Sequence, residues 1–578
     1  MGLTNSLFIG QTALTASQIA LQVTGNNIAN VATPGFHRQV VTLEPTRGGF
    51  IGNRATIGRG VELSRIARAI DPALQNRLRS TISDQQAAQV GQAALSQLEA
   101  LTNELTGRDL SSQLSSFFNS FSEVANDPTS AVVRAAAVEN GAALTSFIRG
   151  LREDVLRTRD QLDAQLRGAV DRADGLLTEI ADLNKAVVLS ELGGNNGEDG
   201  NLRDQRDFLI SELAALVDIS VQERESGAVD IFVDSKPVVL GTESRGLELR
   251  IRSTDDELLV EVITSASQEV SNITSGQVGA LLDQRDNEVQ RTLEDIDELS
   301  AAIIHEVNRV HTSGRPTSRI TDLTGTRRVP PADRALAFND PANETFADLP
   351  FRIRNGSFEV IVHDGNGNAS TTVIEVDLDG IDLTGAAGFT DDTSLDDLVA
   401  ALDSITNLNA SLDSSGQIRL TTDAGFDVSF ASDTSGALAV LGVNTFFSGE
   451  DGSTIAVRQA LRSDPGLLSV GADDGINTTA LGIAQLRTRG VQSLNGGTLI
   501  DRWLQSVEET AVRFNSTNTR AQALNTVRQS LEAQEAAVGG VSLDEESLNL
   551  ITYQQQFTGA SRFLSVVQEL TDILVSLI

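Results

Sequence analysis

The 578-residue chain exceeds what one hydrophobic core holds, so several domains are expected. It has no cysteine, which rules out a disulfide framework, a thiolate metal site and a cysteine nucleophile. A formal net charge of -35 repels phosphate backbones and anionic membrane surfaces, so nucleic acid is not an expected partner.

The first segment places Leu7, Leu14, Leu21 and Ile28 at seven-residue intervals, with small apolar residues between them. That spacing predicts a helix with one apolar stripe, and a heptad stripe calls for a partner helix. The start has no basic n-region and no run of about 18 apolar residues, so neither signal peptide nor membrane insertion is expected. Gly2 and Ser6 stand at myristoylation spacing, but no second anchoring signal accompanies them.

The helix then meets "NNIANVATPGFHR", residues 26–38. Pro34 disfavours helical backbone at Thr33 and Gly35 permits a turn, so this is read as a hinge. Asn26, Asn27 and Asn30 are mediocre helix formers. They suit a fraying end, and they equally suit hydrogen bonding to neighbouring helices in an assembly.

Strand-like alternation and a Gly-rich hairpin follow, and then Asp71 and Pro72 open a helix running to about Leu105. Another helix carries Leu110, Leu114, Phe117, Phe121 and Val124. A long heptad run from about Ser130 to Leu192 implies a helix of roughly 90 Å. After the flexible "GGNNGEDGN" loop, residues 217–263 alternate as short strands.

Helical spacing returns with Leu282, Val289, Ile296, Ile303 and Val310, whose natural partner is the earlier long helix. Residues 315–475 are rich in Gly, Asp, Thr and Ser and read as mostly β around one helix, "SLDDLVAALDSI". A helix carrying Val507 to Val538 stops at Gly539 and Gly540, a second hinge. Beyond it Leu550, Phe557 and Leu564, with Tyr553, Val567 and Leu574, form a terminal heptad.

The fold class expected is mainly α with inserted β domains, α+β and multidomain. Terminal heptad helices (1–34 with 541–578) make a coiled-coil-like inner domain. The body is a long-helix bundle (35–215, 276–314 and 476–540). A small β domain (216–275) and a mostly β outer domain (315–475) are inserted into it.

Chemistry-bearing motifs are scarce. The four histidines, His37, His305, His311 and His363, include no pair at metal-binding helical spacing, and satisfied or exposed rings are expected. There is no Walker phosphate loop, nucleophile elbow or dinucleotide fingerprint. Asp364, Asn366, Asn368 and Glu375 stand at calcium-loop spacing, but Ala369 replaces the required glycine and the flanks read as strands. A hairpin turn is the expected reading. No catalytic, metal or cofactor residue is assigned.

"SLFIGQTALTASQIALQVTGNNIANVATPGFHRQ" and "NLITYQQQFTGASRFLSVVQELTDIL" resemble the N- and C-terminal signatures of the bacterial flagellar rod, hook and hook-associated axial proteins. "GRGVELSRIARAIDPALQNRLR", "NDPTSAVVRAAAV", "LRDQRDFLISELAALVDISV" and "TSGQVGALLDQRD" extend the resemblance over residues 1–312 and 476–578. The helical block from Asp71 to Leu192 sets the chain apart from the hook and distal rod proteins, the alternative within the family. Phe36 and His37 depart from the family's frequent Tyr-Ser, and Gly559 from its commoner Ala.

The resemblance implies a structural, non-enzymatic subunit of the flagellum that joins hook to filament. It also implies secretion through the flagellar type III export apparatus to an extracellular place. The partners implied are further copies in a ring at the hook tip, the hook protein, a second junction protein on the filament side and an export chaperone. Leu7, Leu14, Leu21, Asn26, Asn27, Ile28, Asn30, Leu550, Tyr553, Phe557, Leu564, Val567 and Leu574 are the expected assembly interface. Pro34, Gly35, Gly539 and Gly540 are the expected hinges.

Overall fold

The computed structural model describes residues 2–46, 49–51, 55–104, 107, 109–192, 198–253, 258–347, 349, 351–382, 384–471 and 476–576. The tip of the Gly-rich hairpin, most of the "GGNNGEDGN" loop, the expected helix end at Leu105 and positions 472–475 lie outside them. The fold is mainly helical with several small antiparallel sheets. The chain forms two compact units, one from 1–94, 160–286 and 514–578, the other from 95–159 and 287–513.

In the first unit, the helix Gly2–Ala29 gives way to a turn at Gly35 (φ +75°). The antiparallel strands Gln39–Pro45 and Val61–Arg68 follow, with a bulge between Thr42 and Leu43. The helix Pro72–Leu101 starts where Asp71 accepts from the backbone N–H of Ala73 (2.9 Å) and Leu74 (3.2 Å), as its cap position predicts. The later half of Leu499–Gly539 zips along it. Leu74, Leu78 and Leu531 bury together, and amides pair at Gln85–Asn525 (3.1 Å) and Gln92–Asn518 (2.9 Å).

The C-terminal half of the helix Ala131–Glu191 presents Asn184, whose amide bonds Val229 on both backbone sides and the Gly241 carbonyl. That amide ties the four-stranded sheet of Ser220–Glu223, Val229–Val233, Lys236–Leu240 and Glu243–Ser244 to the helix.

Two features go beyond the sequence reading. A helix, Gly200–Leu216, capped by Asp199, ends the stretch assigned to the helical body, where the sequence reading names no element. Secondly, the heptad from Leu282 to Val310 is broken by a π-helical turn, Gln284–Val289, between the helices Gly276–Asp283 and Gln290–His311. The extra residue rotates the stripe, so Leu281 is fully buried in place of Leu282. The turn also aims Arg285 at Asp163 Oδ1, 2.5 Å away.

In the second unit, Phe117, Phe118 and Phe121 of the helix Leu110–Asn126 pack with Phe446 and Phe447, ring centroids 4.7–5.6 Å apart. Arg152 reaches Asp297 at 2.9 Å, which joins the long helix to Gln290–His311 as the sequence expected. His311 is fully buried between the Asn444 carbonyl and the Ser469 N–H, and burial pushes its pKa down to about 4. Trp503 is buried too, its indole N–H donating to Glu104.

The interior segment has two three-stranded antiparallel sheets. One orders Ala369–Val376, Gly356–His363 and Asp427–Ala431; the other Asp322–Thr324, Ile418–Thr422 and Leu408–Leu412. The expected helix is Leu395–Asp403, opened by a Ser394–Asp397 capping box. Phe338, Phe346, Phe358, Val360, Leu398, Leu420, Phe430 and Leu438 share one core.

Its turns follow one device. Asp364, Asp382 and Asp413 each accept from the backbone N–H two and four residues on, and Gly367, Gly385 and Gly416 take φ of +80° to +86° between them.

Candidate functional site

The terminal helices Gly2–Ala29 and Leu543–Ser576 pack against each other, and two contacts set them antiparallel. Asn27 meets Glu546, and Gly10 meets Leu564, where a Cβ on the glycine would fall 2.7 Å from the leucine side chain. Leu564 therefore sits against Gly10, one turn from Leu14. Small and polar residues form the buried seam: Gly10, Ala16, Ser17, Ala20, Thr24 and Asn27, with Val23. Leu7, Leu14, Leu21 and Ile28 flank it half-buried.

From the opposite helix Leu550, Tyr553, Phe557 and Leu564 enter the seam half-buried and Val567 fully, while Leu574 stays exposed. Away from the seam that helix leaves two groups of apolar side chains uncovered, one near its start and one toward its end. Leu548 (66% exposed), Ile551, Phe563, Val566 (54%), Leu570 and Ile573 are among them.

The three asparagines divide their work. Asn26 and Asn30 bond each other locally, Asn30 Nδ2 donating to the Asn26 carbonyl and Oδ1. Asn27 is 1% exposed and fully used. Its Oδ1 accepts from Gln39 N (3.0 Å), and its Nδ2 donates to Gln39 O (2.9 Å) and Glu546 Oε2 (3.1 Å). Arg38 completes the carboxylate through Nε to Glu546 Oε1 (2.8 Å), and its Nη1 reaches Glu545 (3.0 Å). Its backbone N–H donates to the Gly539 carbonyl (2.8 Å). The start of the strand Gln39–Pro45, both terminal helices and the end of the helix Leu499–Gly539 thus meet in one polar knot.

A second knot lies beside it. His37 Nδ1 is 2.7 Å from Asp204 Oδ1, and its ring also faces Gln75 (3.2 Å) and Glu535 (3.7 Å). Burial works against its charge, but the Asp204 and Glu535 carboxylates outweigh burial and push the pKa up to about 9. The ring is an imidazolium at neutral pH.

Arg68 bridges Asp204 (2.8 Å) and Asp207 (2.7 Å), and Arg79 approaches Asp207 (3.3 Å). Gly539 closes over this knot. A Cβ there would fall 2.7 Å from the Ala69 carbonyl and 3.0 Å from the His37 ring, so close packing requires a glycine at this position. Gly35 lies against Phe208 and Pro34 is exposed, while Gly540 backs onto the Ala536 carbonyl.

The sequence reading missed Arg38, Arg68, Asp204, Asp207 and Glu546. A signal was available in "LRDQRDFL", which puts Arg203, Asp204, Arg206 and Asp207 on the inward side of an amphipathic helix. Charge on a buried face implies paired charge.

The calcium spacing at Asp364 resolves into a turn: its carboxylate is occupied by Asn366 and Asn368, and those bonds hold its pKa at about 2. Among the described residues, Asp377, Asp379 and Asp392 lie close enough to share a cation. Asp392 is already bonded to Asn339 at 2.6 Å.

A family model described as the helical domain of flagellar hook-associated protein FlgK matches residues 95–326, and one described as flagella basal body rod protein matches 7–37. Flagellar hook-associated protein 1 of Salmonella typhimurium is 24% identical over 576 residues, 98% of both chains. The chain belongs to the flagellar hook-associated protein 1 family.

It is accordingly a structural component of the flagellum. The Escherichia coli member is 21% identical, again over 98% of both chains. The Bacillus subtilis member is 29% identical over 337 residues, 52% of this chain and 66% of its own length. The solved structure of the flagellar hook junction protein FlgK from Burkholderia pseudomallei aligns at TM-score 0.49 and 13% identity, over 81% of this chain and all of that one.

Proposed function

We propose that the chain is a subunit of the ring that joins hook to filament, seated between the hook protein and a second junction protein. It travels unfolded through the flagellar type III export apparatus with a chaperone and polymerises through its terminal helices. The observation that carries this reading is the two uncovered groups of apolar side chains of Leu543–Ser576, between Leu548 and Ile573, on a helix whose inner face is already occupied. Exposed large apolar side chains grouped in this way mark an interaction site. Freedom from disulfides suits threading through a channel.

The test is complementation of a strain lacking this gene. The wild-type chain should restore motility and retain flagellin on the cell. Val566→Asp should keep its helix content and its export yet release flagellin to the medium. Normal filaments from that variant would refute the reading.

A further inference from the structure

We propose that Asn27, Arg38 and Glu546 are the positioning residues that set the register of the terminal helix pair. Away from this knot the seam is built of small residues and heptad-spaced apolar ones, with Ser17 and Thr24 among them and one close fit, Gly10 against Leu564. Apolar packing of this kind holds two helices together but penalises a slide less than a broken buried polar pair does. A single buried polar residue is a known way for a helix pair to choose one alignment.

Here the choice is strict. Asn27 has every hydrogen-bonding group of its amide engaged, and Glu546, 1% exposed, takes one bond from Asn27, one from Arg38 and a longer one from Asn549 on its own helix. A slide of one heptad brings Tyr553 or Gly539 opposite Asn27, neither of which supplies a carboxylate. Both the buried amide and the buried carboxylate then lose partners, and only the native alignment satisfies them. Because Arg38 leads into the strand Gln39–Pro45 and Gln39 opens it, the knot also ties the pair to that strand.

The proposal rests on the assembly reading only for its consequence in the flagellum; the register belongs to the chain itself. The absence of cysteine makes it directly measurable. Purified full chain carrying Gly10→Cys with Leu564→Cys reports the native alignment, since these positions touch. Gly10→Cys with Phe557→Cys or Thr571→Cys reports slides of one heptad either way.

In the otherwise unaltered chain, oxidation should cross-link 10 to 564 and neither alternative. Adding Asn27→Leu or Glu546→Leu should lower that selectivity roughly tenfold, the ratio one buried hydrogen bond to a charged group corresponds to. Glu546→Gln keeps the shape but only one of the two acceptor oxygens, its amino group facing the other donor, so this variant should recover only part of the selectivity. Far-UV circular dichroism confirms that each variant is folded.

Selectivity unchanged by Asn27→Leu and Glu546→Leu overturns the proposal, as does failure of 10 and 564 to cross-link in the unaltered background. The same two variants without introduced cysteines are then expressed in the deletion strain. Lost register together with normal filament attachment would overturn the assembly reading and leave the register assignment standing.

Discussion

The interior β segment and the terminal helix pair bury apolar surface in opposite ways. In the first, Phe358, Val360, Leu420 and Phe430 are almost wholly enclosed by their own sheets and the helix Leu395–Asp403. In the second, the buried residues are small and the large ones remain half or fully exposed. One region completes its core from its own sequence; the other leaves its large apolar side chains uncovered.

The comparison breaks most readily at the β core. Phe430→Ala removes a ring from an enclosed site and should cost about 3–5 kcal/mol. Thermal unfolding of the full chain should show one transition shifted sharply down while filament attachment persists at low temperature. A change below about 1 kcal/mol would mean that this core is not self-sufficient.

The hinge supplies the next largest effect. The folded pKa of His37, about 9, lies above its ordinary value of 6.5. Its contribution is therefore fully present below pH 6.5 and is lost as pH rises through 9. The span corresponds to roughly 3 kcal/mol. Denaturant unfolding at pH 6 and pH 10 should show a loss of that order in the first unit, and His37→Gln should flatten this part of the profile.

How much of this was readable beforehand differs by region for physical reasons. Periodicity announced the long helices, and Asp71 announced the start of one, because these signals are local. The knot was invisible: Asn27 and Glu546 are 519 positions apart, and polar pairing carries no period. Of three neighbouring asparagines, nothing local singled out Asn27. The heptad reading also chose the leucines of the first helix as the contact line, since it weights size, whereas a close antiparallel seam buries Gly10, Ala16 and Ala20.

The smallest predicted effect sharpens the contrast on the helix side. Gly559 lies mid-helix and exposed, with nothing within 4 Å of where a Cβ would be. Gly559→Ala should stabilise Leu543–Ser576 by about 1 kcal/mol. Hydrogen exchange should slow in that helix alone, and no slowing would mean that tertiary contacts, not propensity, limit its opening.

The chain holds one tryptophan and one tyrosine, and they fall in different units: Trp503 buried in the second, Tyr553 on the terminal helix of the first. Nature has thereby installed two separate optical reporters. Indole emission excited at the red edge follows the second unit and is blind to the ends of the chain. Tyrosine emission, or its quenching when another subunit covers the helix, follows the ends, so the unlabelled protein can be watched in two places as it unfolds or polymerises.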